Sequence, residues 1–345
     1  MSGTSLDGID VAAIESDGED VVASGPALTI PYADDFRERL RGILGGVGPV
    51  ATVEQELTRL HAAAVAAFRD RYPETTFTLI GFHGHTILHE PEHRRTWQIG
   101  DGALLARLTG CKVVADFRSA DVAVGGEGAP LAPLYHVALA VGLAKPLAVL
   151  NLGGVGNVTW IGEGAEDILA FDTGPGNAML DDWVRRHTGQ AADVDGALAR
   201  CGTVSASHVE DFLAAPFFAR LPPKSLDRDA FSGFMPTGLN AADGAATLTE
   251  MTAAAVAAAR THFPHPAREF LVTGGGRRNP AIMAALARLL GVPARPVEAV
   301  GWNGDALEAQ VFAYLAIRSR RGLPLSLQGT TGVPRPMPGG QSFKP

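Results

Sequence analysis

The sequence has little cysteine: two residues in 345, Cys111 and Cys201, in no CxxC pair. That excludes a disulfide-stapled scaffold and a cysteine-built zinc module, and it fits a reducing compartment. Positive charge is also in deficit. Lys and Arg number 29 against 37 Asp and Glu, a net charge of −8, which excludes a protein held on nucleic acid by a broad basic face. An anionic small ligand stays open, because backbone amides and a few placed cations can hold one. Long apolar runs are missing: the stretch Val137 to Leu152 is interrupted by Lys145 and Pro146 and is too short to span a bilayer. The opening MSGTSLDGID has no basic segment followed by an apolar core, so it does not read as a signal peptide. A cytoplasmic protein is expected.

What is present is a hydrophobic fraction of 46% and 41 glycines, which cluster. The apolar share is enough for a large core, and the length predicts about two domains. Strand-like and helix-like patterns alternate. Strands are expected at Ile9–Ile14, Val21–Ile30, Phe77–Phe82, Lys112–Ala115, Leu147–Leu152, Asn157–Ile161, Ile168–Phe171 and Glu269–Thr273. Helices are expected at Ala51–Phe68, Pro133–Val141, Ala178–His187, Ala206–Leu213, Ala242–His262, Pro280–Leu290 and Ala306–Ser319. This interleaving is that of an α/β protein with sheets covered by helices. The chain also echoes itself. GTSLDGIDVAAIE near the start and LGGVGNVTWIGE from Leu152 are each a Gly-rich turn followed by an apolar strand, as expected of a duplicated domain.

Chemistry concentrates where the glycines do. Gly3 and Gly8 allow a turn whose amides point inward, with Thr4 and Ser5 as hydroxyl donors, although no Gly-Lys-Ser/Thr of a Walker A loop follows. Asp7 and Asp10 in that loop would repel phosphate unless a divalent cation, Mg²⁺, lies between. NLGGVGN at Asn151–Asn157 and TGGG at Thr273–Gly276 also follow apolar strands, and the second precedes a helix whose N-terminus would favour an anion. Asp172 of FDTGPGN reads equally as a base at a strand end or as the cap of a helix starting near Pro175. Arg118 suits a carboxylate or phosphate. Glu308 lies beside an apolar helix face. His83 and His85, an HxH after a strand, suggest substrate hydrogen bonding or, alternatively, a zinc hydrolase. DVDG at Asp193 resembles the start of a calcium loop but lacks its terminal glutamate.

Taken in order, MSGTSLDGID, HGHTILHEP, QIGD, ADFR, DVAVGGEGAPL, LNLGGVGN, FDTGPGN, PPKS, DGAATLT, TGGG and DALEAQVFAYLA resemble the anhydro-N-acetylmuramic acid kinases over nearly the whole chain. These belong to the sugar-kinase, heat-shock-protein-70 and actin superfamily. The resemblance implies two ribonuclease-H-like lobes with mixed sheets and a cleft between them. The first lobe would be 1–130 plus 322–345 and the second 131–321. It implies ATP and Mg²⁺ as cofactors, hydrolysis of the 1,6-anhydro ring with phosphorylation at O6, a role in peptidoglycan recycling, and a homodimer.

Residue by residue, the resemblance makes Asp172 the base that deprotonates water. Nucleotide would be held by Gly3, Thr4, Ser5, Leu6, Asp7, Gly8, Ile9, Asp10, Asn151, Gly153, Gly154, Asn157, Gly274, Gly275 and Gly276. His83, Arg118, Gly174 and Glu308 would face the sugar, and Asp7 and Asp10 the metal. The chain departs from the family pattern at His85 and Glu127, where Gln is usual, and at Ser225-Leu226-Asp227, where Ser-Thr-Gly is usual. Family members also carry several residues before MSGTS that form half of a hairpin, and loss of that strand would expose a sheet edge. The alternatives are another amino-sugar kinase without the ring-opening step, a nucleotide-binding homologue without activity, and the zinc hydrolase.

Overall fold

The computed structural model describes every residue except Thr4, Ser5, Ala165 and Glu166. The chain divides into two compact units, Met1–Val141 with Ala306–Pro345, and Gly142–Asp305. The first unit opens with β1 (Gly8–Ser16) and β2 (Val22–Pro31), an antiparallel pair. Gly8 is demanded by the close approach of β2, since a Cβ there would lie 2.4 Å from the Ile30 carbonyl oxygen. Helices α1 (Asp34–Arg41) and α2 (Val50–Arg71) follow. Then come β3 (Leu79–Phe82), the hairpin β4 (His85–Glu90) and β5 (Arg95–Ile99), α3 (Gly102–Thr109), β6 (Lys112–Ala115), α4 (Ser119–Ala123) and α5 (Pro133–Leu139).

The second unit is built on a five-stranded sheet. Its strands are β7 (Leu147–Leu152), β8 (Val155–Ile161), β9 (Ile168–Pro175), β10 (Phe270–Thr273) and β11 (Ala294–Pro296), in the order β11-β10-β7-β8-β9. β7, β8 and β9 form an antiparallel meander, and β10 and β11 add in parallel on the other side of β7. This mixed order is the ribonuclease-H-like arrangement that the resemblance implies. β7 lies in the middle, and Leu147 through Leu150 are fully buried, as befits a strand covered on both faces. Helices α6 (Ala178–Thr188), α7 (Ala206–Leu213), α8 (Pro216–Ala219), α9 (Ala241–Ala259) and α10 (Pro280–Leu290) complete the unit. The alanine-rich α9 is buried along most of its length in a core with Trp183, Phe171 and Phe270. Such small side chains permit close backbone approach: a Cβ on Gly244 would meet the Trp183 ring at 1.9 Å.

The chain returns to the first unit with α11 (Leu307–Arg321), α12 (Gln328–Thr331) and β12 (Gln341–Phe343). β12 pairs antiparallel with β6, and β6 pairs in parallel with β3. α11 packs on both β1 and β3. Its contact with β3 is so close that a Cβ at Gly81 would fall 1.9 Å from the Phe312 carbonyl oxygen.

Candidate active site

In the first unit the loop before β1 is folded against the hairpin. Leu6 holds a positive φ of 58°, unusual for a branched side chain. Its carbonyl accepts from Arg37 Nε at 3.0 Å, while the Asp7 carbonyl accepts from the Tyr32 amide at 3.0 Å. Buried Ser2 accepts from the Tyr32 hydroxyl at 2.7 Å and pairs with His85 Nδ1 at 2.9 Å. His85 is therefore an anchor for this loop, a role the sequence did not suggest. Asp10 Oδ1 accepts from Thr29 Oγ1 at 2.6 Å, and Asp7 is exposed. Thr4 and Ser5, the expected hydroxyl donors, lie outside the described residues.

His83, Arg118 and Glu308 share one electrostatic neighbourhood with this loop. His83 Nδ1 donates to the Gly84 carbonyl at 3.1 Å, which leaves Nε2 to accept from Arg118 Nε at 3.1 Å. Burial and the adjacent guanidinium hold His83 far below the usual imidazole range, so it is neutral. Arg118 also donates to the Gly128 carbonyl at 2.7 Å and lies over the Phe312 ring. Burial brings its pKa down to about 10, which leaves it charged at neutral pH. Glu308 is pushed up by the surrounding protein, opposed by Arg118 and reinforced by Asp10. Its side chain remains open to solvent, so water tempers that push.

Asp121, to which sequence reasoning gave no role, organises the loop that supplies Gly128. Its buried carboxylate accepts from the Gly128 amide at 2.7 Å, from Thr331 Oγ1 at 2.6 Å and from Ser326 Oγ. The only signal was its place in DVAVGGEGAPL.

In the second unit the glycine clusters converge. The carbonyls of Gly153 and Gly154, at the β7–β8 turn, accept from the Asn177 and Gly176 amides at 2.7 and 2.9 Å. Asn177 Nδ2 donates to the Leu152 carbonyl at 2.9 Å. A Cβ at Gly274 would strike Asn151 Oδ1 at 2.5 Å, and one at Gly276 would strike Leu152 and Asn177 within 3 Å. Gly174, at φ 154°, passes α9 so closely that a Cβ would meet Ala255 at 2.7 Å. Asn157 and Asp172 are register partners across β8 and β9. Asp172 Oδ2 accepts from the Leu226 amide at 2.8 Å, and its own amide donates to the Lys224 carbonyl at 3.0 Å. Arg277, unforeseen from sequence, secures the glycine turn by donating to the Gly274 carbonyl, Glu298 and Asp305.

Several expectations are corrected. β9 runs on to Pro175, because the pairing with β8 resumes after a bulge at Gly156/Asn157. Asp172 is thus a strand residue and not a helix cap, and Pro175 precedes α6 instead of entering its first turn. The glycines Gly274–Gly276 do not open α10: Gly275 and Gly276 belong to a 3₁₀ turn that runs to Arg278, and the amides opening α10 are capped by Asn279 Oδ1. The zinc alternative fails for His83, whose two ring nitrogens are taken by Gly84 and the Arg118 guanidinium. Among the described residues no group of three or more His, Cys, Asp or Glu is placed to hold a metal. Asp193 serves the backbone, accepting from the Leu198 and Ala199 amides.

A family model described as anhydro-N-acetylmuramic acid kinase matches residues 1–344. The chain belongs to this family. Among relatives so named, the protein of Paramagnetospirillum magneticum is 59% identical over all of this chain and 98% of its own. That of Rhodospirillum rubrum is 58% identical, covering 99% and 92%, and that of Acidiphilium cryptum 56%, covering 100% and 97%. Likeness to solved structures is weaker. A ROK family glucokinase from Streptomyces griseus, in complex with glucose and AMPPNP, is 14% identical with a TM-score of 0.41 over 93% of this chain and 98% of its own. The family assignment does not rest on it. The chain is accordingly a kinase, and the kinase has, among its described residues, no helix long and apolar enough to cross a membrane.

Proposed function

We propose that this kinase uses ATP to phosphorylate anhydro-N-acetylmuramic acid at O6 while water opens the 1,6-anhydro ring, giving N-acetylmuramic acid 6-phosphate and ADP. Asp172 takes a proton from water. The water oxygen bonds to C1, the C1–O6 bond breaks, and O6 takes the γ-phosphoryl group as ADP leaves. The observation that carries this reading is the placement of Asp172. The Leu226 amide fixes its carboxylate on β9, in the same sheet whose β7–β8 turn and β10 end carry the converged glycine turns. A carboxylate so held needs no reorientation to act as a base.

The nucleotide is assigned to the loop Gly3–Asp10, to Asn151, Gly153, Gly154 and Asn157, and to Gly274–Gly276, where bare backbone can approach phosphate and nucleoside. The sugar is assigned to His83, Arg118, Gly174 and Glu308. Arg118, fixed by His83 and Gly128, offers a directed positive charge to an acidic sugar. Asp7 and Asp10 supply oxygen ligands of the kind Mg²⁺ takes, and the Thr29 hydroxyl donates to Asp10 without removing its charge. The ion when bound would neutralise phosphate charge. The first unit thus carries the phosphate loop and most sugar contacts, and the second the base and the remaining nucleotide contacts. A cytoplasmic homodimer serving cell-wall recycling completes the reading, supported by two free thiols and by the family resemblance.

The test is Asp172→Asn. ADP release with the anhydro sugar should fall by about 10²–10⁴-fold while nucleotide binding persists, and near-normal turnover would remove Asp172 from the role. Product formed in ¹⁸O-water without label at C1 would refute ring hydrolysis and leave an ordinary amino-sugar kinase.

A further inference from the structure

The PPKS stretch, Pro222 to Ser225, has no part in the reaction as read so far. β9 is an edge strand of the five-stranded sheet. The segment from Lys224 to Leu226 runs beside it at Asp172. The Lys224 carbonyl accepts from the Asp172 amide at 3.0 Å, and the Leu226 amide donates to Asp172 Oδ2 at 2.8 Å. The direction of the carboxylate therefore depends on where this segment lies. Residues 220–231 belong to no helix or strand, so regular structure does not hold it in place.

The Lys224 side chain does hold it. Lys224 is buried, with its ammonium 5.5 Å from the centre of the Phe171 ring and 4.5 Å from that of Phe217. Phe171 and Asp172 are adjacent in β9 and point to opposite faces, so the ammonium lies on the far side of the sheet from the carboxylate. An ammonium has three donors and no acceptor, and here each donor has a place. The Phe217 carbonyl accepts at 3.1 Å, the Phe218 carbonyl at 3.5 Å and His262 Nε2 at 3.2 Å. The two carbonyls belong to α8, and His262 to the 3₁₀ turn Arg260–His262 that follows α9. One side chain thus ties the segment beside Asp172 to two other elements.

Burial, with Arg220 nearby, lowers the Lys224 pKa to about 8, and burial together with Lys224 lowers that of His262. At neutral pH the lysine is charged and the imidazole neutral, the combination in which Nε2 has a lone pair for the ammonium. Burying a charge is costly, and three acceptors and two ring faces offset that cost. A methionine would fill much of the same volume. It would have no donor for the two carbonyls and the imidazole, and the segment would lose its tie.

We propose that Lys224 is a positioning residue for the base: through the segment it anchors, its ammonium sets the direction of the Asp172 carboxylate without touching substrate. This rests on Asp172 acting as the base, as proposed above. Removing the ammonium misaligns the carboxylate for the chemical step and leaves the contacts to nucleotide and sugar in place.

The experiment is Lys224→Met. The kcat for ADP release with the anhydro sugar falls about 10- to 100-fold, while KM for ATP and for the sugar stays within about twofold. Exchange of the Leu226 amide quickens about tenfold. A lysine that only stabilised the fold would lower Tm and leave kcat of the folded protein unchanged. That result, an unchanged Leu226 amide, or a loss carried by KM alone overturns the proposal. Asp172→Asn run in parallel separates the two readings. Normal turnover there removes the base and this role with it, whereas an inactive Asp172→Asn beside a normal Lys224→Met removes the lysine alone. Should Lys224→Met fail to accumulate, His262→Leu withdraws one acceptor from a partly exposed position. A lower kcat and faster Leu226 exchange, both restored in His262→Gln by its side-chain oxygen, uphold the proposal. A His262→Leu enzyme with normal kcat overturns it.

Discussion

Arg118 is restrained in three ways: by His83, by the Gly128 carbonyl and by the Phe312 ring. Only a neutral His83 that donates from Nδ1 has a lone pair on Nε2 for the guanidinium. Lysine cannot reproduce this, because its ammonium lacks the planar fork that serves two acceptors in fixed directions. Arg118→Lys is therefore expected to lower kcat/KM for the sugar about 10- to 100-fold, the range that loss of one charged hydrogen bond spans. The KM for ATP should change little. Steady-state ADP release with each substrate varied decides it, and an unchanged kcat/KM for the sugar would show that the fork is not used. At this scale the sequence was partly legible. The glycines, Asp172, His83 and Arg118 stood out by type and position. Asp121, Arg277 and the Ser2–His85–Tyr32 chain did not, since most of their partners lie tens to hundreds of residues away and no local pattern marks them.

Among the elements, those with strong apolar periodicity or a continuous buried run were readable to within a residue or two, such as Lys112–Ala115, Leu147–Leu152, Ala206–Leu213 and Pro280–Leu290. The hairpin of β4 and β5 was not. Its strands are half-exposed and carry His, Glu and Arg, and its turn places Arg94 at φ 55° where glycine would have been a signal. α1 is mostly polar, with Phe36 and Leu40 as its buried residues, and β12 is a short polar edge strand. The loop from Asp121 to Leu131 shows what replaces periodicity when an element has none. Its shape depends on one buried carboxylate that satisfies an amide and two hydroxyls. Asp121→Ala leaves those donors without an acceptor and should cost about 3–5 kcal/mol. Urea unfolding reads this directly. Because Gly128 holds Arg118, kcat/KM for the sugar should fall too, even where the variant is fully folded. A folded Asp121→Ala protein with ordinary sugar kinetics would separate this loop from the site.

For the whole molecule, acid should act on the two units in opposite directions. His61 and His136 are buried in the first unit, where burial depresses their pKa values to about 3, and His85 is depressed to about 4. The unfolded chain takes up these protons near pH 6.5, well before the folded unit does. Stability of the first unit is therefore lost as pH falls below about 6.5, by up to about 1.4 kcal/mol per pH unit for each such histidine. Raised, solvent-open Glu308 opposes this only weakly. In the second unit, burial and neighbouring Asp182 raise Asp181 to about 6. Here the folded state binds the proton first, so this group adds stability as pH falls from about 6 toward 4. His262, partly exposed and lowered by burial and by neighbouring Lys224, works against it. Between pH 7.5 and 5.0 a calorimetric scan should thus resolve into two transitions, and brief proteolysis at pH 5.0 should cut within the first unit before the second. Replacing His61 and His136 together by Gln should weaken the response of the first unit without abolishing it, because His83 and His85 are depressed as well. Parallel loss of both units, or a first unit indifferent to pH across this range, would mean that other groups control the acid response.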